Sequence, residues 1–166
     1  MRFRIEQVFA AKPDEVAAAL VDPSYLATMG ELPDIGAPTL RRQERVDTTV
    51  RQELVFQFQG RLPGAVTRVI DPKKLSWVEF DVVDLDTCSA SFRMVPTYYE
   101  KFFTCNGRWT VTARGGEAQR AIDGELKVNS PVPFVGAQVE RAIVNGLKQR
   151  LALEPTVFAR WRSAGG

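Results

Sequence analysis

Alternating apolar and polar residues predict a β-strand at the start of the chain, followed by two short helices. Phe3, Ile5 and Phe9 alternate with mostly polar neighbours, as in a half-buried strand. Pro13 suits the first turn of a helix, and the apolar run from Val16 to Leu20 continues that helix to Asp22-Pro23. A second short helix is predicted from Ser24 to about Met29, and a loop rich in glycine and proline follows it.

The middle of the chain predicts a series of strands, because a period of two recurs there. The strand-like stretches are residues 40–59, 75–85, 88–94, 105–113 and 118–128. Residues 60–72 interrupt the series of strands, and one interpretation places a short helix there at Pro63–Ile70. Turns are predicted at Asp84–Asp86 and Gly115–Gly116. Asn106-Gly107 has the composition of a tight turn, but the alternation continues through it and favours a strand with a local bulge.

After Phe134 the period changes to that of an α-helix. An apolar stripe recurs at about 100° per residue up to Trp161, which predicts a terminal helix roughly 40 Å long. Pro155 falls inside this stretch and is expected to kink the helix or to begin a new segment, because proline lacks the backbone N–H. The chain therefore predicts strands first and one long helix last.

Composition adds that the chain is one ordinary globular domain spanning residues 1–166. Of its residues 45% are hydrophobic and 25% are charged, and no run is long and apolar enough to cross a membrane. The first residues are charged, unlike a signal peptide, so a cytoplasmic location is expected. The net charge of +2 is spread along the chain, which argues against nucleic acid as a partner.

The chain contains no histidine, which excludes histidine-based nucleophile activation and the HExxH zinc site. Phosphate-binding, dinucleotide-binding and nucleophile-elbow motifs are also missing from the sequence. Two cysteines are read as buried thiols. Asp81 is expected to point outward and Asp84 and Asp86 to form a turn, so no metal site, cofactor or catalytic residue is assigned.

The order of elements resembles the START-like, or SRPBCC, superfamily. That superfamily includes polyketide cyclases, lipid-transfer domains and pollen allergens. The resemblance covers the whole chain and extends to an uncharacterised actinobacterial branch. The segments that carry it are Leu75-Ser76-Trp77, Pro96-Thr97-Tyr98-Tyr99, Gly107-Arg108-Trp109, Pro131-Val132-Pro133-Phe134-Val135-Gly136 and the helix with Glu140. It implies an α+β helix-grip fold, in which about six to seven curved antiparallel strands wrap the C-terminal helix.

In many members of that superfamily the space between sheet and helix holds an apolar ligand. The same inward residues would equally form a solid core, so a filled interior is the alternative. The residues expected to face inward and line the cavity are Leu54, Phe56, Phe58, Val78, Phe80, Phe92, Met94, Trp109, Val111, Val139, Ile143, Leu147 and Arg150.

Several polar residues are candidates for the cavity. Arg150 lies in the apolar stripe of the helix and either receives an anionic ligand group, extends outward, or pairs with Glu154 one turn later. Tyr98 has a hydroxyl that would face either the cavity or water. Either face of the strand around Gln52 could point inward. If the face that includes Leu54 and Phe56 points inward, three polar residues join the mouth of the cavity, namely Arg42, Glu44 and Gln52.

The function favoured by these features is binding or carrying a hydrophobic small molecule of the lipid, polyketide or isoprenoid class. One alternative is a polyketide cyclase or isomerase using the same cavity, with Arg150 or Tyr98 stabilising enolate charge. A second is a protein-interaction module with a closed core. The missing histidine favours a binder over an enzyme.

Overall fold

A computed structural model describes residues 1–61, 64–67, 71–101, 103–129 and 135–166, and the elements below are those within these ranges. In chain order the strands and helices are β1 (Arg2–Phe9), α1 (Pro13–Ala19), α2 (Pro23–Thr28), β2 (Thr39–Val46), β3 (Thr49–Gln57), α3 (Gly64–Thr67), β4 (Ser76–Asp84), β5 (Ser89–Pro96), β6 (Phe103–Arg114), β7 (Glu117–Val128) and α4 (Val135–Ser163). Short 3₁₀ turns lie at Met29–Glu31 and Pro72–Lys74.

The seven strands of the described chain form one antiparallel sheet in the order β1-β7-β6-β5-β4-β3-β2. The sheet curves around α4, which packs against β1, β7 and α2. Two short helices follow the first strand and one long helix ends the chain, so the predicted α+β helix-grip fold is confirmed.

Local sequence explains where the helices begin. The backbone N–H of Lys12 donates to Glu15 Oε2 at 2.7 Å before α1, and Asp22 Oδ1 accepts from the N–H of Ser24 at 2.7 Å before α2. Each helix has a proline in its first turn. Half of the helix predicted at 63–70 and the predicted start of the last helix at Phe134 lie outside the described residues.

Helix α4 continues through Pro155 as one element. Proline has no N–H to donate to the carbonyl four residues earlier, which belongs to Leu151. That carbonyl instead accepts from Gln7 Nε2 of β1 at 2.7 Å. The proline thus leaves an acceptor by which the sheet binds the helix.

The stretch predicted as one strand over residues 40–59 is two strands joined by a tight turn. Asp47 adopts φ 53°, a left-handed conformation that aspartate tolerates better than most residues. Asn106 and Gly107 lie inside β6 in continuous register with β7, so the strand reading is correct there and the expected bulge is absent.

Gly107 faces Gly124 across the β6–β7 pair, and this position needs glycine. A Cβ on Gly107 would lie 2.3 Å from the Asp123 carbonyl oxygen and 2.6 Å from Phe92 Cζ. The ring of Phe3 lies equally close to Gly124. The two aromatic rings therefore rest on bare backbone at the centre of the sheet.

An aromatic cluster closes the core between α4 and the N-terminal elements. The ring of Phe158 makes edge contacts with Phe9 at 5.4 Å and Tyr25 at 5.7 Å, and Trp161 lies 5.2 Å from Tyr25. None of the helices in the described ranges combines the length and hydropathy required to cross a bilayer.

Candidate functional site

A cavity of about 120 Å³ lies between the curved sheet and α4. Its wall is mostly apolar and includes four aromatic side chains from the sheet strands β3 to β6, Phe56, Trp77, Phe92 and Trp109. The other lining residues are Phe3, Leu20, Leu26, Met29, Leu32, Ile35, Gln52, Leu54, Glu79, Asp81, Val83, Met94, Arg120, Ile122, Leu147, Arg150, Leu151 and Glu154.

Strand pairing determines which side chains face this cavity. Directly opposite residues of an antiparallel pair lie on the same face. Gln52 of β3 pairs with Asp81 of β4, which pairs with Phe92 of β5. In the next inward row Leu54 pairs with Glu79. The register thus places two carboxyl groups among apolar residues on the inner face.

The predicted orientation of β4 is therefore wrong. Val78 and Phe80 lie on the opposite face of the sheet, where the Arg93 guanidinium covers the Phe80 ring at 4.8 Å. Asp81, expected to point outward, is 7% exposed and lines the cavity. The strand has apolar residues in both alternating phases, and the more apolar phase faces outward.

Glu79 and Asp81 are neighbouring carboxyl residues, two positions apart on the inner face of β4, and both line the cavity. Part of Glu79's surface is exposed, but its carboxyl group is enclosed. Burial, followed by repulsion from Asp81, raises the pKa of Glu79 well above its ordinary value. Burial also raises the pKa of Asp81 to about 6, against the opposing effect of its hydrogen bond from Gln52. Both shifts disfavour the state in which the two carboxyl groups are ionised together.

A second buried polar group ties four elements together around Glu154, which is fully buried. Its carboxylate accepts from Gln7 Nε2 at 2.7 Å, from the Tyr25 hydroxyl at 3.2 Å and from Arg120 Nη1 at 3.2 Å. Burial raises the pKa of Tyr25, which keeps its hydroxyl protonated as a donor. The paired charges and these bonds offset the cost of removing Glu154 and Arg120 from water.

Arg150 faces the cavity but does not pair directly with Glu154. Its Nη1 donates to the carbonyls of Pro33 at 2.9 Å and Ile35 at 2.8 Å, and its Nη2 donates to the carbonyl of Met29 at 2.9 Å. Burial lowers its pKa. The side chain therefore holds the 29–35 segment, which covers one end of the cavity, rather than presenting a free cationic group.

The structure brings together eight of the residues predicted for the cavity and separates the others. Those that line it are Leu54, Phe56, Phe92, Met94, Trp109, Leu147, Arg150 and Gln52. Four more lie outside its lining. Phe58 lies at the end of the sheet. The other three are at least partly buried in the surrounding core, namely Val111, Val139 and Ile143. Arg42, Glu44 and Tyr98 are exposed. Arg42 and Glu44 contact each other at 3.5 Å.

The placement of β2 follows from the hairpin. Across the β2–β3 pair a register shift occurs between Leu40 and Arg42, and Gln43 becomes the partner of Gln52. Gln43 Nε2 donates to Gln52 Oε1 at 3.2 Å. The phase counted along one continuous strand is thus lost at the turn, which explains why Arg42 and Glu44 do not reach the cavity.

Three buried polar side-chain atoms in the described part of the chain have no hydrogen-bond partner. They are Trp77 Nε1, Asp81 Oδ1 and Arg120 Nε, and all three residues line the cavity. Arg120 is 8% exposed and its guanidinium lies 5.3 Å from the Trp109 ring centroid. Unsatisfied polar atoms are uncommon in protein interiors, so their concentration here marks a site.

The remaining polar candidates are structural. Asp84 Oδ1 accepts from the backbone N–H of Asp86 at 2.9 Å, as expected for a turn. Burial raises the pKa of the Cys105 thiol to about 12. In the described ranges no group of three or more metal-binding side chains is arranged to hold an ion.

Solved structures share this fold across nearly the whole chain. TTHA0849 from Thermus thermophilus has a TM-score of 0.66 at 15% identity, with 100% of each chain covered. The Zhui aromatase/cyclase from a Streptomyces species has a TM-score of 0.68 at 14% identity, covering 100% of this chain and 98% of that one. Ara h 8.0201 has a TM-score of 0.60 at 13% identity, covering 96% and 98%. These neighbours share the START-like, or SRPBCC, fold.

No curated protein matches the sequence. A family model does match it, over residues 4–161. That range includes six of the strands, most of β1 and most of α4, and it contains every residue that lines the cavity except Phe3. The chain belongs to the family described as "Protein of unknown function (DUF2505)".

Proposed function

We propose that the protein binds or carries a hydrophobic small molecule in the cavity between the sheet and α4. The observation that carries the proposal is the cavity itself, whose wall is mostly apolar and contains five aromatic rings. Enclosed apolar pockets with a few converging polar groups are the usual form of small-molecule sites. The likeness in fold to an aromatase/cyclase is compatible with this proposal.

The size of the cavity sets the scale of the ligand. A volume of about 120 Å³ is well below the roughly 300–1,000 Å³ of pockets for drug-sized ligands. It approaches the roughly 150 Å³ of an engineered cavity that binds benzene. A ligand with a single ring fits this volume, and a longer lipid, polyketide or isoprenoid requires the segment held by Arg150 to move.

The test combines native mass spectrometry of freshly purified protein with titration by toluene and limonene, followed by methyl NMR. We expect saturable shifts at Leu54, Ile122 and Leu147, which line the cavity. In Leu147→Trp the larger ring should occupy the cavity and abolish binding. In the matched control Leu153→Trp, at a position of α4 that is 51% exposed, binding should persist.

The proposal is wrong if native spectra show no bound small molecule and neither probe gives saturable shifts at these methyl groups. It is also wrong if Leu147→Trp folds and binds both probes as the unmodified protein does. Leu147→Phe, a smaller change, serves as the second variant if the tryptophan prevents folding.

A cyclase or isomerase remains the alternative, and the Glu79–Asp81 pair favours it, since carboxyl groups with separated pKa values suit acid–base chemistry. The residues predicted for this role contribute little, because Arg150 is bound to three carbonyls and Tyr98 is 51% exposed. Turnover of an enolisable cyclic ketone, lost in Asp81→Asn without weaker binding, would support the enzyme.

A further inference from the structure

At the polar end of the cavity, strand β4 departs from the usual pattern in which apolar residues face inward and polar residues face solvent. Along β4 the acidic Glu79 and Asp81 face inward, whereas Val82, on the outer face, is 42% exposed. Burying a carboxyl group costs free energy that an apolar residue would not. Local departures of this kind are expected at functional sites, where recognition takes precedence over stability.

The charges around the cavity cancel when the carboxyl pair keeps one proton. Two guanidinium groups, Arg120 and Arg150, line it together with the carboxyl groups of Glu154, Asp81 and Glu79, and burial raises the pKa of Glu79, which favours its neutral form. An ammonium or carboxylate group on a ligand would leave an unbalanced charge in this mostly apolar space. The balance therefore favours an uncharged ligand.

The unpartnered atoms require a ligand group that both donates and accepts. Asp81 is nine-tenths buried and its Oδ1 lacks an N–H or hydroxyl donor, while Oδ2 accepts from Gln52 Nε2 at 3.0 Å. Even with the proton of Glu79 on one oxygen, the carboxylate keeps free lone pairs. Arg120 Nε and Trp77 Nε1 are donors without an acceptor. A hydroxyl group serves both kinds of partner.

The walls beside the carboxyl pair indicate what carries this hydroxyl. Phe92 lies next to Asp81 across the β4–β5 pair, and Phe56 stacks on Trp77 with ring centroids 5.4 Å apart. Trp109 adds a further aromatic side chain to the cavity wall. Aromatic walls favour the binding of a flat ring, of the size that the cavity volume allows.

We infer that the Glu79–Asp81 pair, with Gln52 behind it, is a binding site for the hydroxyl group of an uncharged ring compound, a phenol or small cyclic alcohol. This inference rests on the proposed function and adds the class of ligand to it. The pair can both donate and accept a hydrogen bond, and the aromatic side chains hold the ring.

Isothermal titration at pH 7.5 with four one-ring probes tests the inference: 4-methylphenol, toluene, benzoate and benzylamine. A purely apolar cavity prefers toluene, because a hydroxyl must lose its water. We expect the reverse order, with 4-methylphenol binding about tenfold more tightly than toluene and than either charged probe.

Variants assign the preference to the carboxyl pair. Asp81→Leu should reduce the ratio of 4-methylphenol to toluene affinity to about one, and Glu79→Leu carries the same expectation if Asp81→Leu does not fold. Glu79→Gln should retain the preference, because an amide also donates and accepts. Glu125→Gln, on the outer face of β7, is the control and should change nothing.

The outcomes separate the two proposals. If toluene binds in the cavity as tightly as 4-methylphenol, or benzoate binds best, the hydroxyl site is refuted while the apolar binding function stands. If the preference survives both leucine variants, the carboxyl pair is not the site. If no probe binds, including limonene, the proposed function fails and this inference fails with it.

Discussion

Substituting Asp81 by asparagine should make the protein more stable at neutral pH. In the folded chain burial raises the pKa of Asp81 from 3.8 to about 6. The folded protein therefore holds this proton to a higher pH than the unfolded chain, and stability falls as the pH rises from about 4 through 6. A shift of about two units corresponds to about 3 kcal/mol, since each unit is 1.36 kcal/mol.

Asp81→Asn removes this titration while keeping an oxygen to accept from Gln52 and an amide to donate to Glu79. We expect the free energy of unfolding to rise by at most about 3 kcal/mol at pH 7.5 and to change little at pH 4. The pKa of about 6 already includes the attraction of Asp81 to Arg120, which opposes the effect of burial.

Urea denaturation followed by tryptophan fluorescence at pH 4, 6 and 7.5 measures this difference. Asp123→Asn is the matched control, since Asp123 is 41% exposed and pairs with Arg4 on the surface, where ion pairs contribute little. The reasoning is refuted if Asp81→Asn destabilises the protein equally at all three pH values.

Two further substitutions test the surroundings of the cavity. Arg150→Met should lower the free energy of unfolding by about 3 kcal/mol, because it leaves three carbonyls without their donor. It should also accelerate hydrogen exchange over residues 29–35, and unchanged exchange would contradict the role given to Arg150. Gly107→Ala should destabilise the fold by more than about 2 kcal/mol, because the Asp123 carbonyl cannot move aside. Gly146→Ala, which has open space around it, should stabilise the fold by about 1 kcal/mol. Thermal unfolding measures both, and equal effects would contradict the close packing at Gly107.

The order of the elements could be predicted from sequence because each signal is local. The alternation through Asn106-Gly107 identified β6, and the helical stripe identified α4. Pro155 was misleading, since the carbonyl it leaves free is used by Gln7, a residue 144 positions away along the chain. Periodicity contains no information on such a partner.

The candidate site was predicted only where apolar residues occupy one phase of a strand. Leu54 and Phe92 follow that rule and line the cavity. In β4 the rule selects Phe80, because both phases contain apolar residues and the acids occupy the other one. The turn after Asp84 contained the missing information: Asp84 pairs with Ser89, and counting back from that pair sets Asp81 opposite Phe92.

The central claim, that the interior receives a small ring compound at the carboxyl pair, is tested most directly by a crystal structure with 4-methylphenol. We predict the ring between Trp77 and Trp109, with the hydroxyl oxygen about 2.7 Å from a carboxyl oxygen of Glu79 or Asp81. A phenol bound only on the outer surface, above an interior filled by side chains, would contradict the claim.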